Sequence, residues 1–232
     1  MVNNVFYRLR PLSWLVSWPL LSLVAGALTT LSFAPFDYSW LVFLTLALAF
    51  YYWHRLPLKQ AVFSGWLFSL GLQCSGISWI FHSLHTHGSA PAVFAALLIF
   101  LLCCYLSLYV ALAVYVVNRF LPADTTLRLL LFYPASWIVF EWLQGYVMTG
   151  FSWMQLGYTQ IDLPLSGFAP LLGNHAVGGV VAVCAGSLVL LFSYGRAKQY
   201  RQALIVLFPV IALWIAAGVL KTISWTQADG EA

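Results

Sequence analysis

An all-α integral membrane protein, a polytopic bundle of about seven transmembrane helices with its N-terminus in the cytoplasm, is the fold class this sequence predicts. Three observations predict it. The 232 residues are 62% hydrophobic and only 7% charged, against roughly 25% charged in a soluble domain, so the chain has too little charge to clothe a water-facing surface. The apolar residues gather into seven runs. The lysines and arginines fall almost wholly in alternate connections between those runs, the pattern that sets membrane orientation.

The first run, residues 12–31, is long enough to cross the roughly 30 Å hydrocarbon layer at about 1.5 Å per residue. Arg8, Arg10 and the small residues Ala25, Gly26 and Ala27 give it the look of a secretory signal. Further apolar runs follow at once, which favours an uncleaved first helix. Pro35 and Asp37 end it. The remaining runs cover residues 38–53, 60–81, 91–117, 127–148, 170–194 and 203–220. Of these 38–53 is the shortest, and Pro91 suits the first turn of the fourth helix. The domain reading is a transmembrane unit over residues 1–221 and an extracytoplasmic tail over 222–232.

With the N-terminus inside, the cytoplasmic segments hold Arg8, Arg10, Arg55, Lys59, Arg119, Arg128, Arg196, Lys198 and Arg201, and the outer segments hold only Lys221. Nine against one requires all seven runs to cross, the short second one included. The basic residues are scattered in short clusters, which argues against a nucleic-acid partner despite the net charge of +4. Small residues at helical spacing, Gly178, Ala182 and Gly186 in the sixth run and Gly65, Ser69 and Gly76 in the third, read as packing faces.

Glu141 lies inside the fifth run, and an ionisable residue there is a functional-site candidate if it faces protein or water; near a helix end it would instead snorkel to the interface. With Asp124 or Thr125 as cap, Glu141 stands 16 residues along the helix, about 24 Å, near the outer boundary. An aromatic-rich outer loop over residues 146–165 follows, carrying Phe151, Trp153, Met154 and Tyr158, with Gly150 and Gly157 as flexible points. Two readings stay open, an ordinary interfacial aromatic belt and a lateral, lipid-accessible cavity lined by the loop and Glu141.

Other chemistry finds little support. His82, His85 and His87 lack a carboxylate or cysteine beside them, and His175 reads as a local hydrogen-bonding group, so no metal is expected. Cys74, Cys103, Cys104 and Cys184 lie in apolar runs and read as packing residues, with no disulfide. No nucleophile is armed, Ser152 included, and no cofactor is expected.

SFAPFDYSW (32–40), GISWIFHSL (76–84), YLSLYVAL (105–112), EWLQGYVMTGFSWMQLGYTQ (141–160) and GFAPLLG (167–173) occur in the order and spacing of the membrane part of apolipoprotein N-acyltransferase. The chain resembles that family over nearly its whole length. The resemblance implies a bacterial inner-membrane enzyme of lipoprotein maturation. It would move an acyl chain from phospholipid, through a cysteine thioester, to the N-terminal amine of a diacylglyceryl apolipoprotein. It further implies a catalytic Cys/Glu/Lys triad in a nitrilase-like domain after the seventh span, onto which no residue here maps. The chain stops at Ala232, so it is expected to be inactive alone, and a separate nitrilase-like domain is a candidate partner. Glu141, Phe151, Trp153, Tyr158 and Gln160 are the lipid- and substrate-binding candidates the resemblance implies, with no catalytic residue among them. The family usually has proline where Ser152 stands and arginine where Gln144 stands. A non-catalytic membrane anchor for a separate partner enzyme is the alternative; a transporter or channel fits least, since Glu141 is the one acidic residue within the runs and no polar track spans the bundle.

Overall fold

The computed structural model describes residues 18–225, so Arg8, Arg10, the start of the first run and the tail beyond residue 225 lie outside the described residues. Each apolar run contains one main helix: α1 (Trp18–Thr29), α2 (Leu41–Arg55), α3 (Leu58–Gly76), α4 (Ala92–Phe120), α5 (Tyr133–Gln144), α6 (Ala169–Arg196) and α7 (Tyr200–Lys221). Among the described residues there is no strand. Three stretches are long and apolar enough to cross a membrane, namely α4, Pro164–Arg196 and α7.

The helix ends follow local chemistry. Leu56, before Pro57, is extended as a residue preceding proline tends to be, and this separates α2 from α3. Pro91 sits just before α4, and its carbonyl accepts from Ala95 N at 2.9 Å. Asp124 caps the turn Thr125–Leu127 through Oδ1 and Leu127 N, at 2.8 Å. The chain then passes through a π-turn, Arg128–Phe132, ending two residues before Pro134, which has no amide hydrogen to continue a regular ladder.

Three runs are not single straight helices. In the run 127–148 the α-helix ends at Gln144: Gly145 tightens the last turn, a 3-10 turn follows at Val147–Thr149, and Met148, Thr149 and Gly150 take positive φ values of 53°, 74° and 80°. The run 60–81 ends its long helix at Gly76 and continues as a short helix, Trp79–His82, and a π-turn, Ser83–His87. In the run 170–194, Gly173 interrupts α6 with φ 75° and ψ 176°. Apolar patterning marks membrane depth, not helix continuity, so these breaks leave no trace in it.

Small residues set the closest contacts. Gly26 of α1 abuts the Phe68 carbonyl and Gly71 of α3 abuts the Leu23 carbonyl, so the two backbones touch and neither glycine has room for a Cβ. Ser22 with Ser64 at 2.7 Å and Thr30 with Ser75 at 2.6 Å bridge the same pair, and Thr29 Oγ1 donates to Thr45 Oγ1 of α2 at 2.8 Å. The expected ridge on α6 is a packing face: Gly186 abuts the Leu129 carbonyl, Ala182 is buried, and Gly178 faces Gly157 and Glu141. On α3 Gly65 packs on Val114, whereas Gly76 seats Met154 and Ser69 lines a polar cavity, so that ridge does more than pack helices.

Between these seams lies an aromatic core centred on Trp53, whose ring stands 5.3 Å from Phe50, 5.8 Å from Tyr133, 6.1 Å from Phe68 and 6.2 Å from Trp137. At one end of the bundle Asn118 Oδ1 accepts from Arg128 Nη1 at 3.0 Å and Tyr133 OH at 2.8 Å, while its Nδ2 donates to the Trp53 carbonyl at 3.0 Å. At the other, Lys221 Nζ donates to the carbonyls of Asp162 at 2.7 Å and Leu163 at 3.1 Å. α7 rides on the outside, with only Val206 and Ala217 buried.

The α1/α3 seam gives a direct test. Gly71→Leu inserts a side chain where the Leu23 carbonyl stands and is expected to destabilise the fold by about 3 kcal/mol or more, whereas Gly195→Ala, with nothing within 4 Å, should change stability by about 0.5 kcal/mol or less. Denaturant titration in detergent reads the difference, and equal stabilities would contradict the close approach.

Candidate functional site

The site is built from two helical stripes and a strained loop. On α5, Trp137, Glu141 and Gln144 are spaced four and three residues apart, which puts them on one face. On α3, Ser69 and Gln73 are one turn apart and face them. With Tyr109 of α4 and Trp153 and Met154 of the loop, these side chains line a narrow internal cavity of about 20 Å³. That is room for about one water-sized group.

Glu141 is the hub. Its Oε1 accepts from Leu156 N at 2.9 Å and from Trp137 Nε1 at 3.3 Å. Its Oε2 is buried with no hydrogen-bond partner among the described residues. Gln144 adds a second tie to the loop: its carbonyl accepts from Phe151 N at 2.8 Å, and its Nε2 donates to the Phe151 carbonyl at 3.1 Å. Between these anchors Met148, Thr149 and Met154 carry left-handed backbone, a strain that persists only where surrounding contacts fix it. Gly150 abuts the Gly145 carbonyl, and Gly157 is wedged against Asn174. Gly157 is therefore a pinned contact and not the flexible point its residue type suggests. Beneath it, Asn174 Nδ2 donates to Gln155 Oε1 at 2.8 Å, and Gln155 Nε2 meets His175 Nε2 at 3.3 Å.

The five candidate residues divide by environment. Trp153, 57% exposed, and Tyr158, 45% exposed, stand on the loop surface, Trp153 in edge contact with Trp79 at 5.4 Å. Phe151 packs on the buried cluster of Leu70, Ile77 and Ile99. Gln160 is wholly buried, its Nε2 donating to Thr159 Oγ1 at 2.9 Å and to the Ser39 carbonyl at 3.3 Å. Glu141 and Gln160 thus hold the loop from below. A separate apolar groove of about 290 Å³, lined by Tyr105, Leu108, Tyr109, Leu112, Phe140, Leu143, Val147 and Met148, has neither Glu141 nor the other four candidates in its walls. Tyr109 and Phe140 belong to both groove and cavity, and the Tyr109 hydroxyl bonds that of Tyr105 at 2.6 Å.

Ser69, Gln73 and Tyr109 were not candidates on sequence. A polar pair one turn apart within an apolar run was the available signal. Cys74 is exposed and Cys104 half-buried, so only Cys103 and Cys184 fit the expectation of core packing. His85 Nδ1 meets the Ala90 carbonyl at 2.8 Å, and the His82 and His87 rings stand 5.8 Å apart. Among the described residues no three His, Cys, Asp or Glu side chains converge as metal ligands. The arrangement can hold a small polar group in the cavity and an apolar chain in the groove.

The family described as "Apolipoprotein N-acyltransferase N-terminal domain" matches residues 25–187. Relatives named apolipoprotein N-acyltransferase include one from Chromobacterium violaceum, 40% identical over 209 residues, which is 90% of this chain and 39% of the relative. One from Coxiella burnetii is 35% identical over 212 residues, 91% of this chain and 43% of the relative. Another, from Vibrio parahaemolyticus, is 33% identical over 231 residues and 43% of its own length. The chain therefore spans about two fifths of the length of these relatives.

The carboxylate's hold on the loop separates two substitutions. Glu141→Gln keeps an acceptor for Leu156 N and Trp137 Nε1, whereas Glu141→Ala leaves both donors unmet. Proteolysis within residues 150–160 is expected to accelerate roughly tenfold in Glu141→Ala, the equivalent of about 1.4 kcal/mol in loop opening, and little in Glu141→Gln. Identical digestion of both variants and the parent would contradict the anchor.

Proposed function

We propose, since this chain belongs to the apolipoprotein N-acyltransferase family, that it forms the membrane portion of such an enzyme, binding the phospholipid donor and the diacylglyceryl apolipoprotein acceptor and positioning them for acyl transfer. The observation that carries the reading is the apolar groove between α4 and α5, which shares Tyr109 and Phe140 with a polar cavity that the exposed Trp153 also lines. A groove lined by leucine, valine, methionine and aromatic rings fits an acyl chain. Trp153 and Tyr158, with apolar bodies and polar tips, suit the level of lipid headgroups. Phe151 closes the inner side of the loop. Glu141 and Gln160 act as positioning residues, since neither side chain is on the loop surface.

In this reading the bond changes belong to a nitrilase-like domain. Its thiolate attacks the phospholipid ester carbonyl and releases lysophospholipid, and the lipoprotein α-amine then attacks the thioester, forming the amide and freeing the thiol. No residue of this chain is given a role in those steps. The alignment of substrates is the share assigned to it, and alignment alone can supply several kcal/mol of a barrier.

The topology proposed is seven crossings with the N-terminus cytoplasmic, as a multi-pass protein of a bacterial inner membrane. Contacts support it: Arg128 bonds Asn118 and the Leu121 and Pro122 carbonyls, and Thr125 meets His54, so basic ends of α2, α4 and the approach to α5 share one end of the bundle. Lys221 binds the 162–163 carbonyls near the aromatic loop, at the end proposed to face outward.

A photoactivatable phospholipid tests the groove. Leu112→Trp or Leu143→Trp, each filling it, is expected to cut crosslinking roughly tenfold, equivalent to about 1.4 kcal/mol of binding, with Leu204→Trp on exposed α7 unchanged. Undiminished crosslinking in both groove variants would overturn the assignment.

A further inference from the structure

We infer that the internal cavity between α3, α4 and α5 is a binding site for one small monovalent cation of about sodium size. Three buried oxygens, Ser69 Oγ, Gln73 Oε1 and Glu141 Oε2, have no hydrogen-bond partner among the described residues, and all three belong to side chains lining this cavity. Ser69 is 1% and Gln73 4% exposed. Leaving such atoms unmet is costly, and three in one place mark a position where something else meets them.

The size and chemistry of the site select its occupant. About 20 Å³ admits a single water-sized particle and excludes a phosphate or a substituted ammonium group. The ligands are a carboxylate, an amide carbonyl and a hydroxyl, all hard oxygens without sulfur or imidazole, which suits an alkali cation over a transition metal. One carboxylate is too little charge for calcium or magnesium, which call on more oxygens and more anionic ones.

A lone water could bridge the oxygens but would leave the carboxylate charge unmatched. The donors that meet Glu141, Leu156 N and Trp137 Nε1, are both uncharged. Those donors both fall on Oε1 and leave Oε2 unmet. Glu141 lines the cavity with Oε2 unmet, and a cation there would match the charge of an ionised carboxylate in an apolar interior. A bound cation would tie α3 to α5 and, through Glu141 Oε1, steady the loop at Leu156. The inference is independent of the acyl-transfer reading, because its readout is binding and stability.

The experiment is thermal unfolding of the purified chain in detergent at constant ionic strength, comparing sodium with N-methylglucamine, a cation too large for the cavity, together with ²²Na⁺ binding. A saturable rise in melting temperature of about 2–4 °C in sodium is expected, with one ion bound per chain. Both signals should vanish in Glu141→Gln and Gln73→Leu and persist in Ser193→Ala, which lies outside the cavity. If Glu141→Gln fails to fold, Gln73→Leu alone decides. Equal melting in the two salts with no ²²Na⁺ retained, or a full sodium response in the folded cavity variants, would overturn the site.

Discussion

A carboxylate set among apolar helices has to be met by donors, and the way Glu141 is met shapes the outer half of this molecule. Its Oε1 reaches beyond α5 to the backbone of Leu156, 15 residues later in the chain, and so fixes where the aromatic loop returns to the bundle. Gln144, one turn on, fixes where the loop leaves. With both ends held, the segment between them can keep left-handed backbone at Met148, Thr149 and Met154 that an untethered loop would relax. Trp153 stands exposed on the segment so held, and Tyr158 just past it.

The helices approach closely enough for this because small residues line their seams. Gly26 against Gly71's helix, Gly178 beside Gly157 and Gly186 against Leu129 bring backbones into contact, and serine and threonine pairs bridge the α1/α3 seam. In lipid there is little hydrophobic drive between helices, so tight packing and such hydrogen bonds hold the bundle together. Rigid walls in turn let a cavity of one-particle size persist beside an apolar groove.

Much of this was legible in the sequence, because the chain's hydrophobicity and charge placement answer to the membrane directly. Each apolar run contains a helix, Asp124 caps as its residue type suggests, and Glu141 stood out as a charge where none is expected. The site was legible only in outline. Ser69 read as a packing residue although it lines the cavity, and Gln73 and Tyr109 drew no attention, since convergence of α3, α4 and α5 is a tertiary fact. Gly157 read as a hinge because glycine permits freedom, whereas Asn174 leaves it none. The breaks at Gly145 and Gly173 escaped notice because hydropathy is blind to hydrogen-bond continuity.

The central claim is that this chain positions lipid substrates for chemistry carried elsewhere in the family's architecture. An acyl-transfer assay on the purified chain in phospholipid micelles with a diacylglyceryl lipopeptide, run alone and with a separately expressed nitrilase-like domain, tests it most directly. The account predicts transfer only when the domain is added. Absence of transfer in both, with the chain shown to be folded, or transfer by the domain at the same rate without it, would contradict the claim.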